Sequence, residues 1–75
     1  MNRNRKERIK KIYDELRRYL GELNELHDDE EEYHDNIPEN LQESARAETS
    51  EEAIESLDNA AESISEACDY LDGII

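Results

Sequence analysis

The sequence predicts an all-α protein in which two long helices fold back on each other as an antiparallel, coiled-coil-like hairpin. Two observations support this fold class. The 75 residues include 41% charged side chains but only two glycines and one proline, a composition typical of long charged helices rather than of β-structure. Apolar residues also recur in alternating steps of three and four on both sides of a single break. The chain is short enough for one domain only, residues 1–75.

Helix 1 is predicted over about residues 4–34. Its seam follows a heptad period that continues into the break, through Ile9, Ile12, Leu16, Tyr19, Leu23, Leu26, Glu30, Tyr33 and Ile37. Tyr13 and Leu20 widen the seam by one flanking position. Gly21 costs about 1 kcal/mol relative to alanine inside a helix, which is too little to end so regular a pattern. We therefore expect helix 1 to continue through Gly21.

The connection is predicted over residues 35–44. Pro38 lacks an amide donor and disfavours the α conformation at Ile37, so helix 1 ends before it. Residues 38–42 fit one short helical turn with Leu41 directed inward. Helix 2 begins at about residue 45 if Ser44 is its N-cap, but Thr49 followed by Glu52 also matches a capping box. Both starts remain open at this point.

Helix 2 is predicted over about residues 45–73, with Gly73 as the stop signal. Its seam has the same spacing as that of helix 1 and consists of Ile54, Leu57, Ala61, Ile64, Cys68, Leu71 and Ile75. An antiparallel arrangement aligns the two seams, from Ile9 opposite Ile75 to Glu30 opposite Ile54. One hairpin therefore pairs both seams.

A second stripe of helix 2 consists of Ala53, Ala60 and Ala67, which repeat every seven residues beside the seam. Alanine is a good helix former, and this alone accounts for the stripe. Small side chains at heptad spacing also let another helix approach closely. Because the core contains no Phe or Trp and must be thin, we favour self-association through this stripe, giving a homodimeric helical bundle.

The formal net charge of −13 is unevenly distributed. Residues 1–18 carry eight basic and three acidic side chains, whereas the rest of the chain has Arg46 as its only basic residue. Ten acidic residues near the connection form the acidic set, our candidate partner-binding residues: Asp28, Asp29, Glu30, Glu31, Glu32, Asp35, Glu48, Glu51, Glu52 and Glu55. Such runs are usually solvated surface that keeps a small protein soluble. The alternative is attraction of a protein partner with a basic surface.

Several function classes are not expected. No apolar run is long enough to cross a bilayer and the N-terminal residues do not resemble a signal peptide, so we expect a cytoplasmic protein without a membrane partner. Phosphate-binding loops and nucleophile elbows are missing, and no histidine is placed to activate Cys68, so we expect neither an enzyme nor a cofactor. Direct nucleic-acid binding is not expected, because no aromatic residue precedes Tyr13 in the basic segment and the acidic body repels phosphates.

The two histidines lie within the acidic run. Glu31 and His34 have the spacing used by four-helix di-iron sites, and His27 and Glu30 lie on the same side of the helix. Such sites also require inward glutamates from neighbouring helices, and in the predicted register Glu30 is the seam residue whereas His34 points to its flank. We therefore assign no metal and expect His27 and His34 to be solvated.

The connection also carries a resemblance. Residues 36–44 read NIPENLQES, and this stretch, followed by an acidic helix rich in Ala, Ile and Leu, resembles small uncharacterised acidic helical proteins of Gram-positive phages and mobile elements, which share an N-[IL]-P-E-[NS]-L-Q-x-S turn. A mobile-element origin implies an inhibitor of host nucleic-acid-handling defence proteins in the host cytoplasm, in the manner of DNA mimics or anti-CRISPR proteins. The alternative function is a self-associating structural or assembly hairpin whose acidity only serves solubility.

Overall fold

A computed structural model describes residues 1–75 and contains helices only. Helix α1 spans Arg3–Asp35, a short 3₁₀ helix spans Glu39–Leu41, and helix α2 spans Ala45–Asp72. The two long helices pack against each other in a rod whose extents are 60 × 14 × 14 Å. The all-α two-helix hairpin is therefore confirmed. None of the helices combines the length and the apolarity that crossing a bilayer requires.

Helix α1 is continuous over 33 residues. It begins after Asn2, whose side-chain oxygen accepts a 2.8 Å hydrogen bond from the amide of Arg5. It passes through Gly21 without interruption, and a Cβ atom built at that position would meet nothing within 4 Å. It ends at Asp35, where the amide of Asn36 donates to carbonyl groups of the last turn. The one glycine inside α1 therefore neither breaks the helix nor makes room for a neighbour.

The connection folds around Ile37, which is only 5% exposed. The side-chain amide of Gln42 donates a 2.6 Å hydrogen bond to the carbonyl oxygen of Ile37, and the amide of Leu41 donates to that of Pro38 at 2.8 Å. The Leu41 side chain is 40% exposed, so the expectation that it is directed inward is wrong. Ile37 occupies the corner instead.

The N-cap of α2 is Ser44, whose hydroxyl oxygen accepts a 3.3 Å hydrogen bond from the amide of Ala47. Of the two possible starts, the earlier one is therefore used, and Thr49 lies inside the helix. At the other end, the amide of Gly73 donates to the carbonyl oxygen of Asp69. Gly73 does so with φ −68°, a right-handed conformation that does not require glycine.

The seam of α2 has the predicted spacing from Ile54 to Leu71 and continues it toward the connection, with Ala47 and Ser50 buried. Ile75 lies beyond the end of α2 and is 39% exposed, so its predicted place in the seam is wrong. The inner stripe of α1 differs from the prediction and consists of Ile9, Tyr13, Leu16, Leu20, Leu23, His27, Glu30 and His34, all of them half-buried. Every second residue of the predicted α1 seam is wrongly placed, because these four side chains are about half exposed: Ile12, Tyr19, Leu26 and Tyr33. The apolar surface of α1 is wider than one partner helix can cover. It consists of three neighbouring stripes that contain apolar residues, and α2 covers two of them.

The helices are paired close to the predicted register. His34 of α1 contacts Glu51 of α2, a pair whose residue numbers add to 85 where the sequence suggests 83 or 84. Only five residues are buried: Ile37, Ala47, Ser50, Ala61 and Cys68. The interior is therefore a thin line of mostly small side chains, and Cys68, at 1% exposure, is one of them.

Candidate protein-binding surfaces

The hairpin has two broad faces, one on each side of the plane that contains both helices. His34 and Glu51 meet on one side, where Asn24 and Asp58 also line a common groove. Tyr33 lies on the other side, in a groove shared with Arg46 and Thr49 of α2. Residues seven apart lie on the same side of a helix, so these contacts assign the remaining residues of both helices to a face.

The first of these, the acidic face, is formed by exposed carboxylates of both helices: Asp28, Glu31, Asp35, Glu48, Glu51, Glu55 and Asp58. It collects six of the ten residues of the acidic set. Glu32 and Glu52 project from the backs of their helices, away from the seam, and Asp29 lies toward the opposite side. Glu30 is half-buried between the helices. Only part of the acidic set therefore forms a single surface.

The carboxylates of the acidic set have no lysine or arginine partner within 4.0 Å. The two arginine ion pairs lie within α1, where Arg3 and Arg18 each contact the glutamate four residues ahead. Arg46, the one basic residue near the connection, makes no ion pair. The negative charge around the connection is therefore not neutralised by the chain itself.

The charge divides sharply along the rod. The turn half, residues 19–61, carries fifteen acidic residues and Arg46, a formal charge of −14. The open half, residues 1–18 and 62–75, carries eight basic and seven acidic residues, a formal charge of +1. In the turn half, thirteen carboxylates lie on two side-by-side helical stretches about 25 Å long, or one charge per about 2 Å of axis. Duplex DNA carries one per about 1.7 Å.

The histidines are not solvated as expected. Their side chains are 22% and 19% exposed, because both occupy the inner stripe of α1. Nδ1 of His27 lies 3.2 Å from Oδ1 of Asp28 and 3.6 Å from Oε2 of Glu31, whereas Nε2 of His34 lies 3.3 Å from Oε1 of Glu51.

Of the four residues considered for a di-iron site, His27 lies near Glu31 and His34 contacts Glu51 instead, while Glu30 takes part in neither contact. One potential ligand atom from each of His27, Asp28 and Glu31 lies within 4.8 Å of the other two. Asp28 was not among the residues predicted from the sequence for a metal site. The sequence indicates only one contact of this group, that between His27 and Glu31, because residues four apart are neighbours on a helix.

The centre of the opposite side, here called the uncharged face, combines the exposed stripe of α1 with the alanine stripe of α2 and the serines beside it: Ile12, Tyr19, Leu26, Tyr33, Ala53, Ser56, Ala60, Ser63 and Ala67. Arg46 and Asp29 lie beside it at the turn end. The four α1 side chains are between 46% and 54% exposed. Ala60 is exposed, and Ala53 and Ala67 are half-buried at the rim of the seam. The sequence identified the three alanines, but it placed the α1 stripe inside the hairpin. The two stripes together form one surface.

Comparisons with family models, curated proteins and solved structures gave no significant match. The two surfaces themselves are therefore the basis for a functional interpretation.

Proposed function

We propose that the protein is a non-enzymatic binding module whose acidic face and turn half engage a basic surface of another protein. The observation that carries this proposal is the formal charge of −14 in the turn half, where Glu22 alone has an arginine or lysine ion-pair partner, in a chain whose other half is nearly neutral. Charge needed only for solubility has no reason to concentrate at one end of a rod. Charge that attracts a partner is effective when it is concentrated, because the fields of neighbouring carboxylates add.

The kind of partner follows from the charge density. One carboxylate per about 2 Å of axis is close to the value for duplex DNA, and helix α2 alone would fall well below it. A basic surface that normally holds a nucleic acid would therefore recognise this end of the hairpin. Together with the resemblance of the NIPENLQES turn to phage and mobile-element proteins, this favours an inhibitor that occupies the nucleic-acid site of a host defence protein in the cytoplasm.

A second candidate function is a self-associating structural or assembly hairpin. The uncharged face favours it, because a solvent-exposed stripe of Ile, Leu and Tyr is unusual on a chain with 41% charged residues. In that case the acidic face only keeps the assembly soluble, and removing charge from it leaves activity intact.

The test is displacement of basic proteins from duplex DNA. A bacterial lysate is bound to immobilised DNA at 0.1 M salt and eluted with the protein or with a turn-half variant carrying Asp28→Asn, Glu31→Gln, Glu51→Gln and Glu55→Gln. We expect the protein to release a defined DNA-binding protein and the variant to release at least about tenfold less. Release should also fall steeply by 1 M salt, where the Debye length is about 3 Å.

The matched control is an open-half variant with the same loss of four charges at exposed positions: Asp14→Asn, Glu15→Gln, Asp69→Asn and Asp72→Asn. It should release the target as well as the unmodified protein does. Equal release by both variants, each shown to be helical by circular dichroism, contradicts the proposed role of the turn half.

A further inference from the structure

We infer that the uncharged face binds a second copy of the chain, with the two hairpins antiparallel, to form a four-helix dimer. This inference is independent of the proposed partner binding by the acidic face, because it concerns the opposite side of the hairpin, and it specifies the arrangement on which the second candidate function would rest.

The first argument is the apolar surface that the hairpin leaves uncovered. Only five of the 75 residues are buried, while Ile12, Tyr19, Leu26 and Tyr33 remain about half exposed. These four side chains repeat every seven residues, the period with which a helix contacts another helix along its length. Scattered exposed apolar residues are ordinary on protein surfaces, but a continuous stripe of them marks a contact.

The second argument is that the charged residues of α2 avoid this face over residues 53–67, whereas on α1 the exposed stripe is flanked by Glu15, Glu22 and Asp29. On α2 the residues at heptad spacing are Ala53, Ala60 and Ala67, and the positions beside them are Ser56 and Ser63. The other side of the same helix carries an acid at nearly every turn, including Glu48, Glu51, Glu55, Asp58 and Glu62. Charged residues are depleted at the centre of protein interfaces, and small side chains let a second helix approach closely.

The third argument is size. One whole side of the rod, 60 Å long and 14 Å wide, has a footprint of about 840 Å², and the exposed stripe from Ile12 to Tyr33 occupies about 32 Å of its length. Stable interfaces of standard size bury about 800 Å² on each partner. A second hairpin laid along the whole face therefore buries enough area, whereas one short helix or peptide leaves much of the stripe uncovered.

Charge selects the antiparallel orientation. In a parallel dimer the two turn halves, each with a formal charge of −14, would lie on top of each other. In an antiparallel dimer each turn half faces the partner's open half, whose charge is +1. The two-fold axis then passes near Ala60, Tyr19 lies over the partner's Leu26, and Lys11 lies beside the partner's Glu32.

The test of self-association is sedimentation equilibrium of the full chain over a wide concentration range. We expect a species of twice 8.8 kDa that dissociates on dilution. Ala60→Glu should raise the dissociation constant at least about tenfold, because it places an unpaired carboxylate in the interface. Asn59→Glu adds the same charge to the back of the same helix and should leave the dissociation constant unchanged within about twofold.

Two outcomes overturn the dimer. One is an unmodified protein that stays monomeric at millimolar concentration. The other is equal dissociation constants for the two variants. Since Ala60 is exposed in the single hairpin, both variants should keep its helix content, and Leu26→Gln provides an independent disruption from α1 should Ala60→Glu not fold.

Orientation is tested by oxidation of Ala60→Cys, in which the native Cys68 is covered at 1% exposure. The antiparallel dimer brings the two introduced thiols together at the axis and gives a disulfide-linked dimer. A parallel dimer instead places Ala60 beside the partner's Leu26, so that linkage arises only when Ala60→Cys and Leu26→Cys chains are mixed. That result overturns the antiparallel arrangement.

Discussion

Ser50 is the residue whose environment fits its chemistry least well. It is 2% exposed, faces α1 from the seam of α2, and its hydroxyl oxygen has no hydrogen-bond partner. A buried hydroxyl without a partner costs about 1–3 kcal/mol on the scale of protein mutational data. The position therefore retains a polar group that opposes the stability of the hairpin.

We expect Ser50→Ala to raise the free energy of unfolding by about 1–2 kcal/mol, because it removes the unpaired hydroxyl and adds helix propensity. Ser56→Ala is the control, since Ser56 is exposed on the same helix and gains only about 0.5 kcal/mol from propensity. Both are measured by urea unfolding at one protein concentration. Equal gains at the two positions would mean that the hydroxyl of Ser50 costs nothing.

Among the elements, α1 shows how far sequence reasoning extends. The heptad period was sufficient to predict both helices and their antiparallel pairing, and Pro38 predicted the break between them. The phase of the α1 seam could not be read in the same way, because Ile12 and Tyr13 are both apolar and both lie three or four residues from Ile9 and Leu16. Which of the two stripes is covered depends on α2, so the answer lies in the packing and not in the α1 sequence.

The same ambiguity limited the prediction of the candidate surfaces. Composition identified the acidic residues, but their distribution over two faces and a seam follows from the rotation of α1. Rotating α1 by about 50°, half of the 100° between successive residues, exchanges the stripe of Tyr13 and Leu20 for that of Ile12 and Tyr19 while Leu16 stays inside. The same ambiguity explains why His27 and His34 were expected to be solvated. Nothing in the sequence indicates that a polar residue in an acidic run lies between the helices.

The seam itself changes character along the hairpin. On α1 it is apolar in the open half, whereas the stretch nearest the connection contains His27, Glu30 and His34. Glu30 places a carboxylate at a half-buried position between the helices. At the turn end the α1 side of the seam is thus polar, although Ala47 and Ser50 on the α2 side are buried there.

Glu30→Leu should therefore raise the free energy of unfolding by about 1 kcal/mol, roughly half the value for complete burial of a leucine side chain. The control is Glu32→Leu, which removes the same charge and adds the same side chain at an exposed position on the back of α1. Thermal and urea unfolding followed by circular dichroism measure both. A gain from Glu32→Leu as large as that from Glu30→Leu would attribute the effect to charge and not to the seam.

At the scale of the whole molecule, self-repulsion in the turn half opposes folding. Fourteen net negative charges are held within one half of a rod 60 Å long. Unfolding relieves this repulsion, because it lets the charges move apart. Dissolved salt screens the same repulsion, with a Debye length of about 30 Å at 0.01 M and about 3 Å at 1 M.

We expect the melting temperature to rise by about 5 °C between 0.01 M and 1 M NaCl, equivalent to about 1 kcal/mol for a domain of this size. The turn-half variant described above should melt higher than the unmodified protein at 0.01 M and respond less to salt. The open-half variant should not melt higher than the unmodified protein at 0.01 M, because the four acidic residues that it replaces lie beside basic residues. Identical salt responses in the two variants, at one protein concentration, would argue against repulsion in the turn half.

The burial of Cys68 has a practical consequence for studying motion in this rod. The thiol is 1% exposed in the folded hairpin, so a thiol reagent reaches it only when α1 and α2 separate in the open half of the seam. Under conditions where separation is fast and labelling slow, the labelling rate reports the population of opened molecules. The chain thus carries, without any substitution, a chemical probe for the breathing of its own helices.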